Sequence, residues 1–272
     1  MGPFTFTALR GLVAFVALLA VDGAAARMVP GRKSIFHLTA GEKRALLRGA
    51  GACGVMLTLA SNMQQLGIAG TSAGKAGFIT AMYIVIVPLF GLFCGRRPSA
   101  LLWGSVSIAV AGLYFLCMTE GFAISPGDGA VLLCAVLFSG HILTIDHFSR
   151  NLDGIQMSCV QFLVVALLSG VGMVLFERPS LTAVAACAGP VLYAGLLSSA
   201  VGYTLQILAQ KGANPTVVSL LLSLESVFAA LGGAVLLGET MSRREITGCL
   251  LMLAAVTLAQ LPAAAPGRQK TP

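Results

Sequence analysis

Long apolar runs separated by short polar breaks dominate the hydrophobic pattern of the chain. Each run has about 20 residues, the length that an α-helix needs to cross the ~30 Å hydrocarbon core of a bilayer. The pattern predicts an all-α fold, a polytopic membrane bundle with nine spanning helices. The predicted spans are residues 4–25, 49–68, 72–95, 100–118, 129–148, 155–176, 185–209, 215–237 and 246–261.

One carboxylate, Glu225, lies in the middle of the eighth predicted span. It follows Pro215 by ten residues, about 15 Å along a helix and therefore near the midplane. An acid at this depth costs roughly 3 kcal/mol, whereas the large apolar residues of the span return roughly 4 to 7 kcal/mol, so the segment still inserts. Glu225 is a candidate for substrate or proton handling, because acids inside membranes usually have a function. A carboxylate held by a neighbouring helix for packing is the alternative.

The composition agrees with a membrane protein, since 57% of the 272 residues are hydrophobic and 10% are charged, against about 25% charged in soluble domains. The net charge of +7 comes from basic residues between the apolar runs. They form no aromatic-interleaved patch, so they indicate membrane topology rather than nucleic-acid binding. Three histidines without ligand spacing and seven cysteines without a CxxC pair predict no metal site, no cofactor and no disulfide.

Lysine and arginine placement orients the predicted spans. With the 27–48 loop in the cytoplasm, 12 of 17 basic residues fall on the cytoplasmic side. This places the N-terminus outside and the C-terminus inside, in the cytoplasmic (inner) membrane. The first run imitates a signal peptide, but its basic flank from Arg27 favours a retained span. Arg10 and Asp22, near the ends of that span, are expected to snorkel to the interface.

A weak internal repeat at an offset of 144 residues overlays residues 57–115 on 201–259 without a gap. The two copies have opposite predicted orientations, as in the inverted repeats of secondary transporters, whose binding site lies near the midplane. The repeat predicts a first half of four helices, 1–118, a linker, 119–128, and a second half of five helices, 129–262, followed by a disordered tail, 263–272. The missing fifth span of the first half indicates a lost helix or a late start.

Three segments resemble the EamA-type transporters of the drug/metabolite transporter superfamily. They are SLESVFAALGGAVLLGETMSRREITGCLLML, AGKAGFITAMYIVIVPLFGLFCGRRPS and MGPFTFTALRGLVA. The resemblance implies ten helices in two inverted five-helix halves around a central cavity, with both ends in the cytoplasm. This chain lacks the counterpart of the first of those helices. It also has Ser226 where many members have proline, which predicts a straighter helix at Glu225.

The third span contributes three candidate residues for the substrate pathway. Lys75 has three interpretations: an ion pair with Glu225, snorkelling to the outer interface, or attraction of an anionic substrate. Thr80 and Tyr83 are expected to face the cavity. On the fifth span, His141 is interpreted either as a proton relay that titrates near neutral pH or as a histidine hydrogen-bonded to a neighbouring helix.

Polar residues near the ends of two repeat-related spans are further candidates. Their amides and phenol are expected to line the mouths of a small-molecule pathway, with ordinary helix-to-helix hydrogen bonding as the alternative. These residues are Asn62, Gln65, Tyr203 and Gln206. Three other residues, Pro88, Gly104 and Gly248, are interpreted as packing or kink positions.

The sequence therefore predicts a secondary transporter rather than an enzyme, an exporter of a small organic metabolite or drug-like solute by alternating access. Its predicted partners are the solute and the lipid bilayer, with proton coupling as a hypothesis and a monomer or homodimer as the assembly. One alternative is a truncated family member that does not transport. The other is an intramembrane enzyme, which would need a second strong acid, base or metal cluster facing Glu225.

Overall fold

The computed structural model describes residues 1–93, 95–118, 125–236, 238 and 240–261, and their regular structure is helical. The α-helices are α1 (Pro3–Met28), α2 (Ala40–Ile68), α3 (Ala73–Ala81), α4 (Tyr83–Phe93), α5 (Ala100–Cys117), α6 (Asp128–Phe148), α7 (Gly154–Phe176), α8 (Leu181–Ala186), α9 (Ala188–Tyr193), α10 (Thr204–Gln210), α11 (Pro215–Leu222), α12 (Glu225–Leu236) and α13 (Arg243–Ala259). A π-helical segment, Ala194–Tyr203, joins α9 to α10.

Within the described residues, seven helical stretches are long and apolar enough to cross a membrane. They confirm the predicted polytopic helical bundle, although the prediction was nine spans. The two stretches that differ are α2 and α13. The amides Asn62, Gln64 and Gln65 lower the mean hydropathy of α2, and α13 has only 17 residues, somewhat fewer than the ~20 of a typical span.

The described helices pack into two compact units. Unit 1, Met1–Thr71 with Ser125–Ala213, contains α1, α2 and α6 to α10, whereas unit 2, Ser72–Ile124 with Asn214–Pro272, contains α3 to α5 and α11 to α13. Each unit contains helices from both predicted halves. The halves are defined by repetition along the sequence, whereas the units are defined by packing. The halves therefore stay a prediction. The predicted tail and most of the predicted linker, residues 119–124, lie outside the described residues.

In unit 1, α7 lies between α1 and α2, and α6 packs on α2. Small residues let these helices approach closely, which is the usual basis of packing in lipid. Gly11 of α1 is one example, since a Cβ at this position would lie 3.2 Å from the backbone nitrogen of Ala166 on α7. Larger side chains, among them Leu18, Leu57 and Phe162, fill the buried core between the helices.

A polar cluster ties α1, the following loop and α7 together at one end of unit 1. We call it the Asp22 cluster, and it consists of Asp22, Arg32, Ser34, Asp153 and Gln156. Asp22 is fully buried and accepts from Arg32 Nη2 at 3.1 Å and from Ser34 Oγ at 2.8 Å. The expected snorkelling of Asp22 is therefore wrong, because its partners come from the loop and from α7 rather than from water.

Asp153 extends this cluster to the start of α7, which it caps through the backbone N–H groups of Ile155 and Gln156. Burial opposes ionisation of this carboxyl, but hydrogen bonds from Arg32 and from those backbone groups outweigh it and lower the pKa of Asp153. Asp153 is therefore a carboxylate at neutral pH, and it shares the guanidinium of Arg32 with Asp22.

At the other end of α7, Glu177 caps α1 from a distant part of the chain. Its carboxylate accepts from the backbone N–H groups of Phe4 and Thr5 at 2.8 and 2.9 Å, and also from the Thr5 hydroxyl. The residue before α1, Gly2, has no side chain that could satisfy these N–H groups. Glu177 therefore supplies the cap that the local sequence lacks.

We expect Glu177→Ala to destabilise the protein by about 1 to 2 kcal/mol, the usual cost of losing an N-cap. Thermal unfolding of the purified protein in detergent measures this loss. The neighbouring Arg178 is exposed, so Arg178→Ala is the control and should change stability by less than about 0.5 kcal/mol. Equal melting temperatures for the two variants would contradict the capping role.

In unit 2, α5 and α13 form the main helix pair. They approach closely where Gly112 faces Gly248, since a Cβ on Gly248 would lie 2.7 Å from the carbonyl oxygen of Gly112. At one end of the pair, Arg244 Nη2 donates to the carbonyl of Tyr114 at 3.3 Å, and the guanidinium lies 5.2 Å from the ring centroid of the same residue. The remaining helices of the unit are two broken spans, α3 with α4 and α11 with α12.

Candidate functional site

The guanidinium of Arg10 points toward a neighbouring helix inside unit 1. Its Nη2 donates to Ser61 Oγ on α2 at 3.0 Å, and the guanidinium carbon lies 5.9 Å from the Phe6 ring centroid. Nε is buried and has no acceptor among the described residues. Arg10 lies seven residues after Pro3, about 10 Å along α1. The expected snorkelling of Arg10 is therefore wrong, because its guanidinium bonds to a side chain of the neighbouring helix α2.

Asn62, the residue after Ser61, is buried between α2 and α7. Its Nδ2 donates to Ser169 Oγ at 2.9 Å and to the Thr58 carbonyl at 2.8 Å. This is the helix-to-helix hydrogen bonding that the sequence offered as the alternative to a pathway role. The other amide atom, Oδ1, is buried without a donor among the described residues, so Asn62 keeps one acceptor for a further partner.

His141 on α6 lies beside α7 and the π-helical segment. Its Nε2 donates to Gln161 Oε1 at 3.0 Å, and its ring centroid lies 6.0 Å from that of Tyr203. His141 and Gln161 are both fully buried, yet His141 Nδ1 and Gln161 Nε2 have no partner among the described residues. The pair thus has one ring nitrogen and one amide N–H group available for other hydrogen bonds.

The π-helical segment Ala194–Tyr203 brings its own polar residues to the same region. Gly195 lies against α1, since a Cβ there would be 3.1 Å from the carbonyl oxygen of Arg10. Ser199 is fully buried with an unpartnered hydroxyl, and Tyr203 is close enough to Arg10 for an electrostatic interaction. Because a π-helix has about four to five residues per turn, these positions share one face, and such segments are frequent at functional sites.

These residues form a polar cluster inside unit 1 that we call the Arg10 cluster. It consists of Arg10 with Ser61 and Tyr203, and of His141 with Gln161, which connect to Arg10 through the Tyr203 ring. Asn62 follows Ser61 on α2, and Ser199 precedes Tyr203 by about one turn of the π-helical segment. Buried polar atoms are usually hydrogen-bonded, and three members of this cluster, Arg10, His141 and Gln161, have an atom with no partner among the described residues. Unpartnered polar atoms inside membrane-spanning helices indicate a binding region.

Unit 2 has a different kind of candidate site, at the breaks in its two interrupted spans. α3 ends at Ala81 and α4 begins at Tyr83, while α11 ends at Leu222 and α12 begins at Glu225. At each break a backbone N–H bonds to a carbonyl three residues back: Met82 to Ile79 at 3.1 Å and Leu224 to Leu221 at 3.2 Å. Both breaks are therefore short 3₁₀-type turns.

The eighth span has a short turn at Ser223 and Leu224, just before Glu225. The prediction of a straighter helix where Ser226 replaces proline stays a prediction. Two serine hydroxyls bond to the backbone beside this turn. Ser219 Oγ donates to the Thr216 carbonyl at 2.8 Å and Ser223 Oγ to the Leu220 carbonyl at 2.7 Å. Such hydroxyl-to-backbone bonds satisfy carbonyl groups in place of N–H donors and often bend helices.

Glu225 begins α12, and its side chain is exposed rather than packed against unit 2. Within the described part of the chain its carboxylate makes no hydrogen bond or ion pair, so the Lys75–Glu225 pair is absent. A carboxylate in the first turn of a helix is stabilised by the helix dipole. Packing therefore does not explain Glu225, since no neighbouring helix of the described structure holds it.

The other candidates of the third span lie around its break. Lys75 is half-buried on α3. Tyr83 is buried at the start of α4, and Thr80, two residues before Met82, has a buried hydroxyl without a partner among the described residues. The structure thus brings Thr80 and Tyr83 together at the point where the span is interrupted.

The remaining predicted residues have less distinctive surroundings. Gln65 and Gln206 are half-buried, and Pro88 is buried within α4. Gly248 lies in close contact with α5, whereas Gly104 is exposed and a Cβ there would meet no atom within 4 Å. The structure therefore has no close helix contact at Gly104, although a packing or kink role was expected there.

Comparison with known proteins identifies the family. Residues 125–260 match the EamA-like transporter family. An uncharacterized transporter of Archaeoglobus fulgidus is 31% identical over 218 residues, which cover 76% of this chain and 67% of the relative. The chain belongs to the EamA-like transporter family. A solved protein crystal structure matches the fold with a TM-score of 0.75 at 21% identity, covering 96% of this chain and 88% of its own.

This EamA-like transporter is thus a multi-pass membrane transporter of the drug/metabolite type. Sequence reasoning identified His141, Tyr203 and Asn62 as candidates but missed Arg10 as an interior residue, because it treated a charge near a helix end as interfacial. It also missed Gln161, a polar residue well inside an apolar run. A search for every polar residue more than about one and a half turns from a span end would have found both.

Proposed function

We propose that this EamA-like transporter is a secondary transporter of a small organic solute that works by alternating access. In this mechanism Glu225 changes its protonation or its pairing between the two states. The observation that carries the proposal is the pair of interrupted spans in unit 2, α3–α4 and α11–α12, with an unpartnered carboxylate at the second break.

The positions of the two breaks support this proposal. At the repeat offset of 144 residues, Met82 corresponds to Ser226, so the two interruptions lie within a few residues of each other in the repeat. Interrupted helices at corresponding positions of two halves are the best structural pointer to a transporter's binding site. A stretch of 3₁₀ geometry in the middle of a helix often marks a functional hinge.

The direction and orientation belong to the same proposal. The basic loop after α1, which contains Arg27 and Lys33, lies in the cytoplasm by the positive-inside rule, and the C-terminus lies on the same side of the inner membrane. Export out of the cytoplasm is the proposed direction. Solute accumulation in whole cells and uptake into inverted membrane vesicles test this direction. An exporter lowers accumulation in whole cells and drives uptake into inverted vesicles.

A sensitivity screen of cells with and without the gene, over a panel of metabolites and antimicrobial compounds, identifies a solute to follow. Flux of that solute is then measured in liposomes at several pH values. We expect Glu225→Gln to lower flux by about tenfold or more, equivalent to roughly 1.4 kcal/mol, and to flatten the pH dependence, because the amide cannot exchange a proton.

Glu245→Gln is the matched control in unit 2. Glu245 completes a capping box with Ser242 at the start of α13, and glutamine fills that position equally well. Unchanged flux and pH dependence in Glu225→Gln would remove Glu225 from the mechanism. A purified protein that moves no solute, whatever the residue at position 225, would instead support the transport-incompetent alternative.

A further inference from the structure

Arg10 is a cation without a carboxylate partner inside a membrane-spanning helix. It contacts the neutral hydroxyl of Ser61 and the ring of Phe6 and lies near the phenol of Tyr203, and no ion pair to it exists among the described residues. A charge at this depth is costly unless it is paired or faces water. Its position therefore calls for an anion that unit 1 does not itself supply.

All six carboxylates of unit 1 are engaged elsewhere. Asp22 and Asp153 hold Arg32, and Glu42 holds Lys33. Asp146 binds Arg150, and Asp128 binds the hydroxyls of Thr71 and Ser125. Glu177 binds the backbone at the start of α1. None of these contacts involves Arg10, so the missing negative charge does not come from a neighbouring side chain of the same unit.

The groups around Arg10 suit a ligand that carries an oxyanion. Besides the guanidinium, which binds carboxylate and phosphate oxygens well, Gln161 Nε2 is a donor of the Arg10 cluster that is fully buried and unpartnered within the described residues. His141 Nδ1 adds a buried acceptor for a hydroxyl or amino group on the same ligand.

We propose that Arg10 binds the oxyanion of the transported solute, so that the substrate is an organic acid or a phosphate ester. This inference rests on the proposed transport function and names its substrate class. Arg10 makes the charged contact, while Ser61 orients the guanidinium through its hydrogen bond. Gln161 donates to a further polar group of the solute.

The test uses the purified full chain in a detergent free of anionic lipid and measures thermal stabilisation by matched solutes. The pairs are lactate with lactamide and glycerol phosphate with glycerol, which differ mainly in the negative charge. We expect the acid of at least one pair to stabilise the wild type more than its neutral partner. Arg10→Gln should weaken that acid's apparent affinity by about tenfold or more, since charge-assisted hydrogen bonds are the stronger kind.

Arg27→Gln is the matched control, because Arg27 lies on the same helix and carries the same charge but is exposed. It should keep the preference for the acid. Ser61→Ala should weaken acid binding less than Arg10→Gln does, and it provides a second variant if Arg10→Gln folds poorly. Melting without any solute shows which variants are folded.

Three results overturn the inference: no stabilisation by any acid, equal stabilisation by the neutral partners, or an unchanged acid preference in Arg10→Gln. A parallel series with added phosphatidylglycerol distinguishes the source of the oxyanion. If the lipid stabilises the wild type through Arg10 and the acids do not, the anion is a lipid headgroup and the inference fails.

Liposome flux separates this inference from the proposed transport function. Flux of a neutral solute that Arg10→Gln leaves unchanged would overturn the inference and leave transport standing. Acid binding that depends on Arg10, without flux of any solute, would support the oxyanion site and overturn transport.

Discussion

Asp22→Ala is expected to destabilise unit 1 by about 3 to 5 kcal/mol, the usual cost of breaking a buried ion pair. Asp22 is fully buried and holds Arg32, the Ser34 hydroxyl, the backbone N–H of Ile35 and the side-chain amide of Gln156. Removing it leaves several donors without their acceptor at once, and each unmet donor adds its own desolvation cost.

Thiol reactivity during heating measures this effect, because Cys53 and Cys159 are free and buried in unit 1. We expect them to react at a temperature lower by about 10 °C or more in Asp22→Ala. Lys33→Ala is the control from the same loop, since the Lys33–Glu42 pair is about half exposed and such pairs contribute about 0 to 1 kcal/mol. Similar shifts in the two variants would contradict a structural role for the Asp22 cluster.

Gly248→Ala is expected to destabilise unit 2 by about 1 to 3 kcal/mol through overpacking. A Cβ at this position would lie 2.7 Å from the carbonyl oxygen of Gly112 and 2.7 Å from the backbone nitrogen of Leu116. Both neighbours are backbone atoms of α5, so relief requires the helices to separate rather than a side chain to rotate.

Gly104→Ala is the matched control for this prediction. Gly104 also lies within a helix of the same pair, but a Cβ there meets no atom within 4 Å. The gain in helix propensity is the same for both substitutions, about 1 kcal/mol, so their difference isolates the helix contact. Mass-spectrometric labelling of Cys249, which is buried next to Gly248, reports the opening of α13. Equal labelling in the two variants would show that the close approach has no energetic weight.

Asp22 and Arg10 depart from the sequence prediction for the same physical reason. Asp22 and Arg10 are both charged residues of α1, and both bond to partners on other segments instead of reaching water. The partners of Asp22 include the charge of Arg32, whereas those of Arg10 include no charge. Asp22 therefore stabilises the fold, and Arg10 is the residue that we assign to the solute.

The membrane class, the approximate positions of the long apolar helices and the family follow from the sequence alone, because they depend on the length and spacing of apolar runs and on local motifs. The sequence also identified Glu225, since a single acid within a long apolar run is visible without coordinates. Its errors concern charges near span ends and the continuity of helices. The breaks near Met82 and Leu224 lie within unbroken apolar runs, so hydropathy carries no sign of them.

Which polar groups meet depends on how the helices pack in three dimensions. Arg10 and Ser61 are 51 residues apart in the chain, Asn62 and Ser169 are 107 apart, and Asp22 and Gln156 are 134 apart. Helical periodicity indicates the face of a helix on which a residue lies, but the neighbour of that face depends on the packing of all helices together. The same reason explains why two helix glycines, Gly104 and Gly248, were indistinguishable in sequence although only one of them lies against another backbone.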